Sequence, residues 1–234
     1  MYPEGYAVSL LFVYEGRIMT PYSKKEAIHI VTTAAKDYHN ILEGNNFLFI
    51  FRDKENNSLG FFETVFLPRN YQHLTGIEML DENGVIEKKP LLFYERCLRG
   101  KLSESIIRFR SDGTTKMKLE ALPKIVNFVS SSKMTGLYNG SKPILAVDRL
   151  AGTTNFCLGF TRDSQYYAPS SCLLEDLRNL TNKPSQVLAV MSKKTDETIY
   201  RNIRYVAKGL PFKDLVLPED LIKIVDRSNF VPRK

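Results

Sequence analysis

The stretch Phe47-Leu48-Phe49-Ile50-Phe51-Arg52, followed after the turn formers Asn56-Asn57-Ser58 by Leu59-Gly60-Phe61-Phe62-Glu63-Thr64-Val65-Phe66-Leu67, decides the fold. Two short apolar runs separated by turn residues predict a β-hairpin, and Pro68 ends its second strand. Upstream, apolar residues recur at Ala27/Ile28, Val31, Ala34/Ala35, Tyr38 and Ile41/Leu42. This spacing predicts a helix from Lys24 to Leu42, with Ser23 as cap and Gly44 as stop. Downstream, helices are expected at Pro90–Leu98 and from Lys116 to Val129, the latter interrupted or kinked by Pro123. Strands then return at Ile144–Asp148, Asn155–Thr161 and Gln186–Ser192. A short helical stretch, Cys172–Leu180, opened by Ser170 or Ser171, lies between the last two. Ile199–Val206 reads as a further strand and Pro218–Val225 as a last short helix.

Helix, strands, helices and strands again is the order of an α+β protein rather than a doubly wound parallel sheet. The expectation is one domain over 1–234, an N-terminal helix plus a mainly antiparallel sheet of four to six strands, carrying a basic helical insertion at about 88–142. Any seam falls at 130–142, where Ser, Lys, Gly and Asn accumulate.

A hydrophobic fraction of 43% supports a packed core, and the net charge of +7 favours an anionic partner. Between Lys88 and Lys118 nine basic residues face three acidic ones, so this one segment carries most of the excess. Cys97, Cys157 and Cys172 are odd in number and form no CxxC pair, which indicates neither a disulfide framework nor a zinc site. The run Ala7–Tyr14 is too short to span a bilayer and lacks the cationic start of a signal peptide. These features predict a soluble, cytoplasmic chain with no membrane partner.

No P-loop, GxGxxG, HExxH or GxSxG occurs, which removes the local signatures of nucleotide hydrolysis, dinucleotide redox chemistry, zinc proteolysis and α/β-hydrolases. A cationic chain with His, hydroxyl and Lys residues near strands suits metal-independent RNA cleavage. There the ribose 2′-hydroxyl is the nucleophile, and the protein supplies a base, an acid and groups that hold the phosphate. His73, in Tyr71-Gln72-His73-Leu74-Thr75-Gly76, is the candidate base or acid, with Thr75 orienting it or contacting phosphate. The plain alternative is a helix-capping or core histidine with a Thr75-Gly76 turn. His29 and His39 read as surface residues of the first helix.

Of Lys193 and Lys194, which close an apolar strand, alternation sends only one to any given cleft. Whichever faces the cleft would stabilise charge on a phosphate, and Tyr200 would donate to that phosphate or stack on a base. Solvated strand end and core packing are the respective alternatives. Tyr166-Tyr167-Ala168-Pro169-Ser170-Ser171 reads as a strand-to-helix junction whose amides and Ser171 hydroxyl would take an anion, or as a serine cap. Arg96, Arg99, Lys101, Arg108 and Arg110, with Tyr167, are the candidate RNA-binding residues; a solvated helical face is the alternative.

Taken together, the His73 box after a hairpin, Asn155-Phe156-Cys157-Leu158-Gly159-Phe160, Tyr167-Ala168-Pro169-Ser170-Ser171, and Gln186–Lys194 followed by Tyr200 resemble the phage-associated nuclease domains grouped with barnase, EndoU, colicin E5/D and RelE, the PBECR4-type branch in particular. The resemblance runs from the first helix to about Val206. It implies a helical N-terminal part followed by a four-stranded antiparallel sheet bearing a metal-independent ribonuclease site, with links to phages, mobile elements, toxins and effectors. Carried over residue by residue, the implied site is His73 with Thr75, then Ser171, Lys193 and Tyr200, and no cofactor. The implied partners are RNA, including tRNA, and an immunity or inhibitor protein. Members of such superfamilies exchange catalytic residues, so fold does not secure mechanism. The 88–142 segment exceeds what a minimal domain of this type needs. The second expectation is therefore a non-catalytic accessory or counter-defence factor that holds nucleic acid or an acidic protein through this segment.

Overall fold

The computed structural model describes residues 22–228, together with a two-residue ladder in which β1 (Val13–Tyr14) pairs with β2 (Arg17–Ile18). Apart from Val13 and Tyr14, the apolar run at 7–14 lies outside the described residues. Helix α1 (Lys24–Asp37) starts at a capping box. The Ser23 hydroxyl accepts from the Glu26 amide while the Glu26 carboxylate accepts from the Ser23 amide, satisfying two donors that a helix end leaves open. It buries Ala27, Val31, Ala34 and Ala35 and passes through a π-helical turn, Tyr38–Leu42, to Gly44 at φ +71°.

The hairpin is β3 (Asn45–Arg52) and β4 (Leu59–Val65), in register from Asn46↔Val65 to Arg52↔Leu59. Phe47, Phe49 and Phe51 join the main core, whereas Leu48 and Ile50 join a second cluster with Phe212, Leu217 and Leu221. Burial on both faces explains why β3 is an unbroken apolar run rather than an alternating one. Each ring withdrawn from water contributes about 1.5–3 kcal/mol. Phe49 stacks on Phe62 at 4.8 Å between centroids, and Phe128 touches Phe49 and Phe160 at 5.5 and 5.7 Å.

The chain continues through α2 (Tyr71–Thr75), β5 (Ile77–Met79), α3 (Pro90–Leu98), β6 (Ile107–Phe109), α4 (Thr115–Ala121), α5 (Phe128–Ser131) and β7 (Met134–Leu137). Then come β8 (Arg149–Gly152), β9 (Cys157–Asp163), β10 (Tyr166–Leu173), α6 (Leu177–Leu180), β11 (Ser185–Lys194), β12 (Asn202–Val206) and α7 (Glu219–Ile222). The main sheet runs β12-β11-β3-β4-β10-β9-β8-β7, and β7 pairs back onto β11 through Thr135↔Ser185 and Met134↔Gln186. Seven strands thus close into a barrel, with β12 as an eighth strand beside β11. All pairings are antiparallel except β4 with β10. Closure removes the edges that a four- to six-stranded open sheet would present.

The structure is α+β with an N-terminal helix, as expected, but the sheet is larger than expected and closed. The extra members are β7 and β8, of four residues each, and β10, of eight. The expected strand at Ile144–Asp148 is a strap that precedes β8. The expected helix Cys172–Leu180 is reduced to α6, capped by Asp176, because β10 extends to Leu173. Pro169 does not start a helix. A bulge between Pro169 and Ser171 absorbs the proline, which has no N–H to give the ladder. Pro123 does interrupt the 116–129 helix, dividing it into α4, a 3₁₀ segment Leu122–Asn127 and α5. The basic segment also holds β6 and β7 and contributes Phe93, Tyr94, Cys97, Ile107, Leu119 and Phe128 to the main core. The three cysteines are free and buried. Among the described residues no helix is long and apolar enough to cross a membrane.

Candidate active site

Gly76 organises the surroundings of His73. It ends α2 in the left-handed region at φ +67°, and a Cβ there would stand 2.8 Å from the Thr115 Cα, so only glycine lets the start of α4 come this close. The Thr115 hydroxyl donates to the Gly76 carbonyl at 2.6 Å and accepts from the Arg110 amide at 3.0 Å. One turn along α4, the Lys118 ammonium donates to the His73 carbonyl at 2.6 Å. The turn therefore fixes Arg110 and Lys118 beside His73.

Thr75 is fully buried. Its hydroxyl donates to the Gln72 carbonyl and accepts from the Ile77 amide, which locks the turn. The Cys172 thiol closes the other side by donating to the Leu74 carbonyl, and burial pushes its pKa up to about 12, so it stays protonated.

His73 opens onto a cleft of about 640 Å³ between α4, β10 and the Pro143–Val147 strap. Arg110, Lys118, Ser170 and Ser171 line the same cleft. Among the described residues, neither ring nitrogen of His73 has a hydrogen-bond partner. Burial, then the Lys118 and Arg110 charges, hold the imidazole pKa below its ordinary 6.5. His73 is therefore neutral at pH 7 and free to accept a proton. Burial foremost also lowers the Lys118 pKa, which makes that ammonium a better proton donor. The Arg110 Nε bonds Asp112 at 2.9 Å, and the two Nη groups have no protein partner among the described residues.

Ser171 lies mid-strand at the β10 bulge, not at a helix start. Lys193 and Tyr200 come together elsewhere, outside the lining of this cleft. The Lys193 ammonium donates to the Glu197 carbonyl at 2.6 Å and sits 5.2 Å from the centre of the Tyr200 ring. The Tyr200 hydroxyl donates to the Glu63 carboxylate. Burial and that carboxylate raise the phenol, so it remains protonated.

Of the candidate RNA-binding residues, Arg96, Arg99 and Lys101 line a separate depression of about 410 Å³ with Leu92 and Glu95. Arg108 is held by two bonds to Glu78, at 2.9 and 2.7 Å. Tyr167 packs edge-on against Phe62, with the Arg149 guanidinium 5.9 Å from its ring centre. Lys118 was not among the sequence candidates. Its signal was a lysine on the buried stripe Thr115, Lys118, Leu119, Leu122, where a cation is out of place unless it has a task. Among the described residues, no group of three or more His, Cys, Asp and Glu side chains is placed to hold a metal ion.

A family model described as phage-Barnase-EndoU-ColicinE5/D-RelE like nuclease4 (PBECR4) matches residues 30–209, more than half of the chain. No curated protein and no solved structure matches.

Proposed function

The chain belongs to the PBECR4 family of phage-Barnase-EndoU-ColicinE5/D-RelE like nucleases, and from that premise we propose that it is an endoribonuclease whose site is the His73 cleft. One observation carries the reading: an imidazole without a hydrogen-bond partner among the described residues shares an open cleft with Arg110, Lys118 and Ser171. RNA brings its own nucleophile, so these groups suffice for its cleavage. His73 takes the proton of the 2′-hydroxyl as that oxygen attacks phosphorus. The bond from phosphorus to the 5′-oxygen breaks, and Lys118 protonates the departing oxygen. The products are a 2′,3′-cyclic phosphate and a 5′-hydroxyl, and His73 and Lys118 re-equilibrate their protons through solvent. The Nη groups of Arg110 stabilise the charge on the phosphorane, and the Ser171 hydroxyl positions a phosphate oxygen. Thr75 acts as a positioning residue through the turn it locks. The role in a phage or mobile element, as toxin or effector, is carried by the family alone.

The test is incubation of the purified protein with total RNA and tRNA in EDTA. Cleavage to cyclic-phosphate ends that disappears in His73→Ala, with the fold intact, is the expected result. Intact RNA in both incubations would refute the proposal. Salt-sensitive RNA binding without cleavage by the wild type, declining when Arg96, Arg99 and Arg108 outside the cleft are neutralised, would move the chain to the accessory-factor class.

A further inference from the structure

The cleft has two unlike walls. His73, Arg110 and Lys118 form the polar side, whereas Pro143, Ile144, Leu145, Ala146 and Val147 form an aliphatic one. Ile144 is 77% exposed, a large apolar side chain held in water at the rim of a cationic cleft.

The strap that carries it is fastened at both ends. The Tyr138 hydroxyl directs its single proton at the Ser141 carbonyl, with the Pro143 carbonyl 3.0 Å away, and accepts from the Leu145 amide at 3.2 Å. At the far end Val147 lies so close to Gly159 that a Cβ there would stand 2.7 Å from the Val147 Cγ1. The Asp148 amide then bonds the Phe160 carbonyl at 2.8 Å. This wall is preorganised, so a ligand that covers Ile144 need not order a loose loop.

We infer that the Pro143–Val147 strap is the base-side wall of the site and that Ile144 determines how well a nucleobase is held there, while the phosphate of the same nucleotide lies on Arg110 and Lys118. The inference rests on the nuclease reading of this cleft. A nucleotide has the matching polarity, with a charged phosphate at one end and a flat apolar face at the other. The wall has no aromatic ring, so it offers contact area without stacking and accepts more than one base. The exposed position of Ile144 leaves the fold indifferent to its replacement and the ligand sensitive to it.

The experiment measures binding and needs no cleavage. Short 2′-O-methyl oligonucleotides, one complete and one abasic at a single central position, are titrated into wild type, Ile144→Ser and Arg110→Gln by fluorescence anisotropy. For wild type the complete oligonucleotide is expected to bind about tenfold more tightly than the abasic one, the scale of one partly covered aliphatic side chain. Ile144→Ser should remove that preference and leave abasic binding unchanged. Arg110→Gln should weaken both ligands and keep the preference. Equal preference in wild type and Ile144→Ser would overturn the inference while leaving the nuclease reading in place. Failure of wild type to bind either oligonucleotide would overturn both. Binding with discrimination, in a protein that leaves unmethylated RNA intact, would remove the nuclease chemistry alone.

Discussion

The His73 cleft and the Lys193–Tyr200 cluster contain the same kinds of side chain and differ in what satisfies them. Tyr200 is fully buried and Lys193 is 7% exposed, and their hydroxyl and ammonium are spent on Glu63 and Glu197. The Tyr200 backbone also bonds Ile224 and Asp226, fastening the C-terminal segment over Leu48 and Ile50. In the cleft, by contrast, the His73 ring and the Arg110 Nη groups lack protein partners among the described residues, and the space before them is open. Polar groups that satisfy one another hold a fold together, whereas groups left facing a cleft are available to a ligand. Residue type alone does not separate the two cases.

The largest expected effect breaks the comparison into activity and stability. His73→Ala should lower the rate of RNA cleavage by about 10²–10⁴-fold, the usual contribution of a positioned proton-transfer group, with an unchanged urea midpoint because the ring opens onto the cleft and has no hydrogen bond to lose among the described residues. Tyr200→Ala should do the reverse, costing about 3–5 kcal/mol in urea unfolding through the cavity it leaves. At a urea-free temperature where the variant is still folded, the rate should stay near that of wild type. A Tyr200→Ala protein that keeps its stability and loses its chemistry would place the reacting groups in the Lys193–Tyr200 cluster instead of the His73 cleft. Ser171→Ala is the milder probe. One hydrogen bond to a phosphate oxygen is worth about 0.5–1.5 kcal/mol, so kcat/KM should fall by about two- to tenfold with stability unaffected.

How much of this was legible in the sequence follows from the range of each signal. The Ser23 cap, the hairpin, the Pro90–Leu98 helix and the break at Pro123 are written in neighbouring residues, and each appears where local chemistry puts it. Barrel closure is a contact between Thr135 and Ser185, fifty positions apart, and a four-residue strand inside a Ser-, Lys- and Gly-rich stretch has no period to reveal it. Tyr166–Ser171 failed as a junction because Pro169-Ser170-Ser171 has the letters of a helix start, while the bulge that accommodates it depends on the partner strand. Likewise, His73 and Ser171 were recognised as types and do share a cleft. Lys193 and Tyr200 were equally good types, but their partners Glu197 and Glu63 are supplied by tertiary packing. Arg110 was assigned to a general basic surface, and only the Gly76 contact with α4 shows that it belongs beside the imidazole.

The smallest effect sharpens the comparison most, since it reads the field inside the cleft directly. A base must be unprotonated, so the cleavage rate should rise with pH through the His73 pKa, and burial together with Lys118 and Arg110 places that midpoint below the ordinary 6.5. Arg110→Gln removes one of the charges that disfavour the imidazolium, so the midpoint must move up, toward 6.5, even as the rate falls. Added salt should move it the same way by screening both cations, while the part due to burial persists and keeps it below 6.5. Proton NMR can follow the ring itself, because His29 and His39 are the only other histidines and His73→Ala identifies the missing signal. Tyr200→Phe alters the distant cluster without touching a charge near His73, and its midpoint should coincide with that of wild type. A midpoint that responds to Tyr200→Phe and ignores Arg110→Gln would mean that the two regions have been assigned the wrong way round.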